Sequence, residues 1–412
     1  MQLDQAQQII DAAVSPMGDG PLNEQALSKH LHPLFSRVLA RNESTNEIYL
    51  ANHSLGRPLD MVSEVVQTAL DGWYTQLDGV WNEWIDARNR YRSQISSLLR
   101  WDDDRAIAPK TSAAQGLRAV LNALPTTRPN VVSTRCEFDS IDFVLKAYDY
   151  KQRASLRWVE PDAQDDSTDL VVVSMVCFVT GQVVEGLDRI IAKAHACEAM
   201  VLVDAYHAFG VLPMDFRALD ADFIIAGNYK YTRGGAGACF LAINPRHLSQ
   251  TGGVPEHGTL FPLDTGWFAK HNPFAYSRDD DPAYASGGDA WLEATPPVLT
   301  YYQALPGLML SNAIGIDRLR AYSLDQQQTL VEALTTHGVH PRVLQHRGAY
   351  LLIETEDGRA ATQQLKAAGV NCDARPLSRS DRWAIRLCPD LLNTNDELET
   401  AAQRIAPVLR GI

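Results

Sequence analysis

Between residues 106 and 243, short apolar runs alternate with stretches of helical period. The runs at 106–108, 131–134, 156–159, 170–176, 200–203, 222–226 and 238–243 are mostly continuous rather than alternating, which predicts strands buried on both faces. Between them, residues 117–124 and 187–197 space their apolar positions three and four apart, as helices packed by one face do. This alternation predicts an α/β fold with a mainly parallel central sheet and helices on both faces. In such sheets ligands gather at the carboxyl ends of the strands. Phe138, Thr180, Asp204 and Lys230 all follow such ends.

The flanks read differently. Residues 1–47 are polar and helix-prone, with breaks at Pro16, Gly18, Gly20 and Pro21 and again at Pro33. A strand at 48–50 leads into a turn-rich loop, 51–58. Residues 61–99 read as helix interrupted near Gly79. They carry Trp73, Tyr74, Trp81 and Trp84, expected in the core or at a subunit interface. Residues 252–288 lack periodicity, and so long an irregular stretch points to function. Beyond it, helices at 293–337 (broken near Gly315), 360–368 and 396–409 accompany strands at 350–355 and 383–387, a second unit of α+β type. The expected organisation has three parts: an amino-terminal segment, 1–60, packing with the small domain; a large α/β domain, 61–300; and a small carboxyl-terminal α+β domain, 301–412.

Composition narrows the function classes. The 412 residues are 45% hydrophobic and 21% charged, ordinary for a soluble globular protein. The formal net charge of −13 disfavours nucleic acid as a partner. No apolar run is long enough to span a bilayer, and the first residues lack the basic start and apolar block of a secretory signal. A cytoplasmic location is the expectation. The six cysteines show no C-x-x-C pair and no zinc-ligand spacing, so no metal is expected and the thiols read as small buried hydrophobes.

Two charges stand out. Asp204 closes the run 200–203, and Lys230 follows the run 222–226 after Gly227-Asn228-Tyr229. Buried charges are costly unless paired or used. A desolvated lysine is a nucleophilic amine near neutral pH, and a carboxylate beside a pyridine nitrogen keeps it protonated. The pair points to pyridoxal 5'-phosphate (PLP) carried on Lys230, with Asp204 at its ring nitrogen. His207 either lies near that ring or is structural. Thr111 and Ser112 open a helix, where they serve as an N-cap or as a phosphate site.

Asp204-Ala205-Tyr206-His207-Ala208-Phe209-Gly210, then Gly227-Asn228-Tyr229-Lys230-Tyr231 and Gly234-Gly235-Ala236-Gly237, resemble the class V aminotransferase superfamily. Within it they are closest to the kynureninase pattern D-x-A-H-x-x-G, Y-K-Y and a glycine-rich turn. The likeness continues in order along the chain: His53-Ser54-Leu55-Gly56 with N-S-L-G, Glu137-Phe138 and Ser140 with N-F-P-[ST], Thr180-Gly181 with T-G, Gly266-Trp267-Phe268 with G-W-[FW], Thr295 within a G-T-Q-P-like segment, and Ile385-Arg386-Leu387 with L-R-F.

The resemblance implies a fold-type I PLP enzyme, dimeric, with sites at the subunit interface. Lys230 would hold the cofactor and shuttle protons. Asp204 would bind the ring nitrogen, with Phe138 stacked on the ring and His207 beside it. Thr111, Ser112, Tyr229 and Trp267 would hold the phosphate, with Thr295 reaching in from a second subunit. Arg386 would clamp the substrate α-carboxylate, and His53 and Ser54 would line the substrate side. The implied reaction is hydrolytic Cβ–Cγ cleavage of kynurenine or a related amino acid to an anthranilate-type product and alanine. The alternative is another class V reaction: that of an aminotransferase, β-lyase, epimerase or decarboxylase. Several positions depart from the kynureninase pattern: Ile141 for Asp, Cys177 for Asn, Val179 for a basic residue, Tyr206 for Ala, Ala51-Asn52 for D-G and Arg233 for Asn.

Overall fold

The computed structural model describes residues 1–160, 164–256, 259–377 and 381–409. Twelve strands occur among them: β1 (Ile48–Tyr49), β2 (Ile107–Lys110), β3 (Asn130–Ser133), β4 (Ser155–Trp158), β5 (Leu170–Ser174), β6 (Met200–Asp204), β7 (Phe223–Gly227), β8 (Cys239–Ile243), β9 (Leu351–Thr355), β10 (Val370–Asn371), β11 (Asp373–Pro376) and β12 (Trp383–Leu387). Seven form one sheet in the order β2-β8-β7-β6-β5-β3-β4. The pairs from β4 to β7 are parallel, and only β8 runs against its neighbours. Every residue of β5, β7 and β8 is buried, as the continuous apolar runs require of strands covered on both faces.

Register fixes what meets at the carboxyl edge. Ser174 on β5 faces Asp204 on β6, and Asp204 faces Ile225 on β7. Gly227 on β7 faces Cys239 on β8, which faces Lys110 on β2. The helix Ala113–Leu121 thus begins two strand spacings, about 10 Å, from the turn that carries Lys230.

A second core surrounds the three-stranded antiparallel sheet β11-β12-β9 and the short parallel pair β1-β10. Helices Gly358–Ala367 and Asn395–Leu409 cover it. The amino-terminal segment is divided. Leu3, Ile10, Leu27 and Phe35 belong to the large core, whereas Ile48 and Leu50 belong to the small one. Residue 301, the expected domain boundary, falls within helix Val298–Ile314, whose buried residues join the large core. That helix also abuts the lysine turn: a Cβ on its Gly307 would lie 1.9 Å from the carbonyl oxygen of Thr232.

The break expected near Gly79 occurs as a tight turn, Leu77–Val80, between helices Val62–Gln76 and Trp81–Leu98. Gly315, with φ of 89°, separates helices Val298–Ile314 and Ile316–Thr336. Among the described residues no helix is long and apolar enough to cross a membrane, and no cluster of His, Cys, Asp and Glu is arranged to hold a metal.

Candidate active site

Lys230 sits three residues beyond β7 in a turn closed by the Arg233 N–H to the Lys230 carbonyl at 3.1 Å. Two elements press on this turn. The N–H of Gly56 donates to the Tyr229 carbonyl at 2.8 Å, and a Cβ at Gly56 would lie 1.9 Å from the Lys230 oxygen. Arg233 takes a left-handed φ of 58°. Its guanidinium donates to Asp390 at 2.6 Å, and Asp390 also pairs with Arg57. The Arg in place of the usual Asn therefore ties the lysine turn, the loop 51–58 and the segment after β12 into one buried ion group.

The Lys230 side chain is buried. Its Nζ lies 2.7 Å from Nε2 of His207, and Nδ1 of His207 lies 3.2 Å from the Tyr231 hydroxyl. Burial, with Lys230 and Arg386 adding repulsion, pushes His207 well below its usual value, so the ring is neutral. With the amine donating, Nε2 accepts and Nδ1–H donates to Tyr231. Lys230 itself is lowered to about 7 by burial first and then by Arg386, against the opposing pull of Asp204 and Asp373. It is a nucleophilic amine near neutral pH.

Asp204 ends β6, fully enclosed, with Oδ1 accepting the Tyr206 N–H at 2.8 Å. Burial raises it to about 6, while that hydrogen bond and Lys230 pull it down. Beside it is the buried Glu137, which bonds to Ser174 and Thr134. Burial raises Glu137 to about 8, with Asp204 contributing. Aromatic rings wall the amine: Nζ lies 5.8 Å from the centroid of Phe138, 5.7 Å from Tyr229 and 6.0 Å from Tyr206.

Arg386 projects from β12, 1% exposed. It forms a two-pronged pair with Asp373 of β11, at 2.8 Å from Nε and 2.5 Å from Nη2, and its Nη1 donates to the Phe178 carbonyl at 2.9 Å. Its guanidinium lies over Phe178 and Tyr350. Asp373 also accepts from His53 Nε2 at 2.8 Å. Burial holds His53 at about 4, hence neutral, and its Nδ1 is buried with no hydrogen-bond partner. With Nε2–H given to Asp373, Nδ1 is the ring's acceptor, buried and unpartnered.

Lys230, Asp204, His207, His53 and Arg386, all buried, thus form one cluster with the half-buried Phe138 and Tyr229. Ser54 does not join it; it stands exposed on the turn, its N–H bonded to Ala51. A second group gathers at the end of β2. The Ser112 hydroxyl caps the helix by accepting the Gln115 N–H at 3.1 Å, as the local reading of Ser allowed. Thr111 bonds through N–H and hydroxyl to the Gln115 side chain, which also reaches Glu293 at 2.8 Å. Thr295 lines the same groove as Thr111 and accepts from the Trp267 indole at 3.2 Å. Within one chain Thr295 therefore sits beside Thr111.

The buried set fits the demands of PLP: an amine of low proton affinity, a carboxylate at the neighbouring strand end, an aromatic wall, a helix amino terminus two strands away and a guanidinium for an acid group. Asp373, Tyr231 and Tyr350 were not expected. Asp373 lies in Cys372-Asp373-Ala374-Arg375, whose alternation of polar and small residues is the one local hint of an edge strand.

The profile of the Aminotransferase class-V family matches residues 62–343. A kynureninase of Pseudomonas fluorescens is 27% identical over 352 residues, covering 80% of this chain and 82% of that protein. An uncharacterized aminotransferase of Bacillus subtilis, YcbU, is 26% identical over 358 residues, covering 84% and 91%. Among solved structures, a C-DES mutant with glycine covalently linked to its PLP cofactor superposes with a TM-score of 0.77 over 91% of this chain and 98% of that one, at 19% identity. The complex of the cystine C–S lyase C-DES with cysteine persulfide gives 0.75 over 88% and 97%, at 20% identity. The fold is that of fold-type I PLP enzymes.

Proposed function

This chain belongs to the Aminotransferase class-V family, and from that premise we propose that it is a PLP-dependent enzyme that hydrolyses the Cβ–Cγ bond of kynurenine or a close relative. The products are an anthranilate-type acid and alanine. The observation that carries the reading is the Lys230 amine, buried, near-neutral in proton affinity and 2.7 Å from an uncharged His207.

Bound PLP supplies a ring that takes up negative charge from the substrate Cα. The rest falls to the chain. Lys230 would hold the cofactor and, as a free amine, take the proton from Cα. Asp204 would pair with the ring nitrogen, and Phe138 would supply an aromatic wall beside the cofactor. Arg386 receives the substrate carboxylate in a two-pronged grip, with Asp373 orienting it from behind. Nδ1 of His53 accepts a hydrogen bond from the substrate or the attacking water. Thr111, Ser112, Tyr229 and Trp267 hold the phosphate.

A homodimer is part of this reading. Trp73, Tyr74 and Leu77 are 52%, 78% and 67% exposed. Trp73 packs on Trp84, Trp84 on Trp81, and Trp81 on Trp267, which reaches Thr295. An apolar patch continuous with two phosphate-side residues suits a second copy that completes the site. A cytoplasmic location suits the six unpaired thiols.

One observation favours a different class V reaction. Ile141 is fully buried, and the adjacent Asp142 bonds Lys146 at 2.6 Å on the helix surface. Position 141, an Asp in the kynureninase pattern, therefore brings no carboxylate to the cluster. Purified holoenzyme given L-kynurenine or 3-hydroxykynurenine should release fluorescent anthranilate and alanine. Absence of both, with amine transfer to pyruvate or pyruvate release from another amino acid, would move the assignment to an aminotransferase or β-lyase and leave the cofactor reading standing.

A further inference from the structure

We propose that Cys136 and Cys177 form a redox-active dithiol in a cavity at the carboxyl edge of the sheet, closing to an intramolecular disulfide when a peroxide oxidises it. This rests on the thiols and their surroundings and does not depend on the substrate.

Topology brings the two together. β3 and β5 are parallel neighbours, and each cysteine lies three residues past its strand end. The N–H of Phe178 donates to the Cys136 carbonyl at 3.2 Å, and each thiol is the largest electrostatic influence on the other. Adjacent strands run about 4.8 Å apart, within the spacing that a disulfide spans. Both cysteines line a cavity of about 420 Å³ at the carboxyl edge of the sheet. Arg135, Glu160, Thr180 and Gln182 also line it, so it is polar enough to admit water and a small peroxide.

The pair is asymmetric. The Cys136 thiol lowers Cys177 to about 6 against the opposing effect of burial, with Thr180 and Val179 adding to the lowering, whereas the same contact and burial raise Cys136. The contact favours the thiolate on one sulfur and the proton on its neighbour, the division of labour a two-step oxidation needs. Three other thiols are pushed the opposite way by burial: Cys239 to about 11, Cys372 to about 12, and Cys388 upward.

The chemistry balances. The Cys177 thiolate attacks one oxygen of the peroxide and the O–O bond breaks. This leaves a sulfenic acid on Cys177 and an alkoxide or hydroxide that takes a proton from water. The Cys136 sulfur, losing its proton, then attacks the Cys177 sulfur. The S–S bond forms, the S–O bond breaks, and hydroxide leaves as water with that proton. Two thiols lose two electrons and the peroxide gains them. The new bond lies next to Phe178, whose carbonyl holds Arg386 and Tyr350.

Holoenzyme treated with limiting hydrogen peroxide, alkylated and mapped by mass spectrometry provides the test. A crosslink between the Cys136 and Cys177 peptides should appear at least about tenfold faster than modification of the other thiols, and dithiothreitol should reverse it. In Cys136→Ser, Cys177 should stop as a sulfenic acid that dimedone traps. The wild-type map decides even if that variant does not fold. Absence of the crosslink, oxidation spread evenly over the six thiols, or sulfinic acid on Cys177 without a disulfide would each overturn the proposal.

Discussion

Nζ of Lys230 lies 2.7 Å from Nε2 of His207, so the buried amine is hydrogen-bonded to an uncharged ring. Burial lowers Lys230 to about 7 from an ordinary value of 10.5. From pH 7 to about 10 the unfolded chain therefore carries a proton here that the folded chain has released, and stability from this group rises with pH across that window. In cofactor-free protein, Lys230→Met should remove this rise. Thermal melts from about pH 7 to about pH 9.5 should show the wild type gaining on the variant; parallel curves would refute the buried, depressed amine.

Asp204 meets the pyridine nitrogen in this account, so charge at that position matters more than shape. Asp204→Asn keeps the volume and removes the anion. Turnover should fall by about 10²–10³, while cofactor content, measured after alkaline release, stays near the wild-type level. A variant that turns over normally would remove Asp204 from the cofactor's partners.

Arg386 and Asp373 are a buried two-pronged pair. Arg386→Gln leaves Asp373 without its main counter-ion and should lower unfolding free energy by about 3 kcal/mol. Loss of a charge-assisted grip should also raise KM by about 10- to 100-fold. Urea melts and steady-state kinetics measure the two effects separately. A stable variant with unchanged KM would contradict the assigned role.

Gly56 is placed by contact. A Cβ there would lie 1.9 Å from the Lys230 carbonyl, a backbone atom that cannot swing aside. Gly56→Ala should cost about 1–3 kcal/mol and reduce cofactor occupancy, although the residue lies 174 positions from the lysine in sequence. Calorimetry and absorbance titration with PLP would report both.

The parts of this site legible in the sequence are those written locally. A continuous apolar run ending in Asp204, and another ending before Lys230, mark strand ends without help from the rest of the chain. Glycine breaks at Gly79 and Gly315 are equally local. What stayed hidden depends on partners far away. β10 and β11 are two and four residues long, too short for period to show, and β10 is defined by pairing with β1 more than 300 residues earlier. Asp373 gains meaning only when that folding sets it against His53 and Arg386. The odd Arg233 likewise reads as an anomaly until Asp390 and Arg57 are seen around it. Ser54, matched by motif to the substrate side, points outward because its neighbour His53 takes the inward place on the turn.

The most direct test of the central claim is chemical. Holoenzyme reduced with borohydride, which fixes a lysine-bound cofactor permanently, should be digested and mapped by mass spectrometry. The account predicts one pyridoxyl-bearing peptide, with the label on Lys230, and no labelled peptide in Lys230→Ala. A label on Lys110 or another lysine, or none at all in protein saturated with PLP, would contradict it.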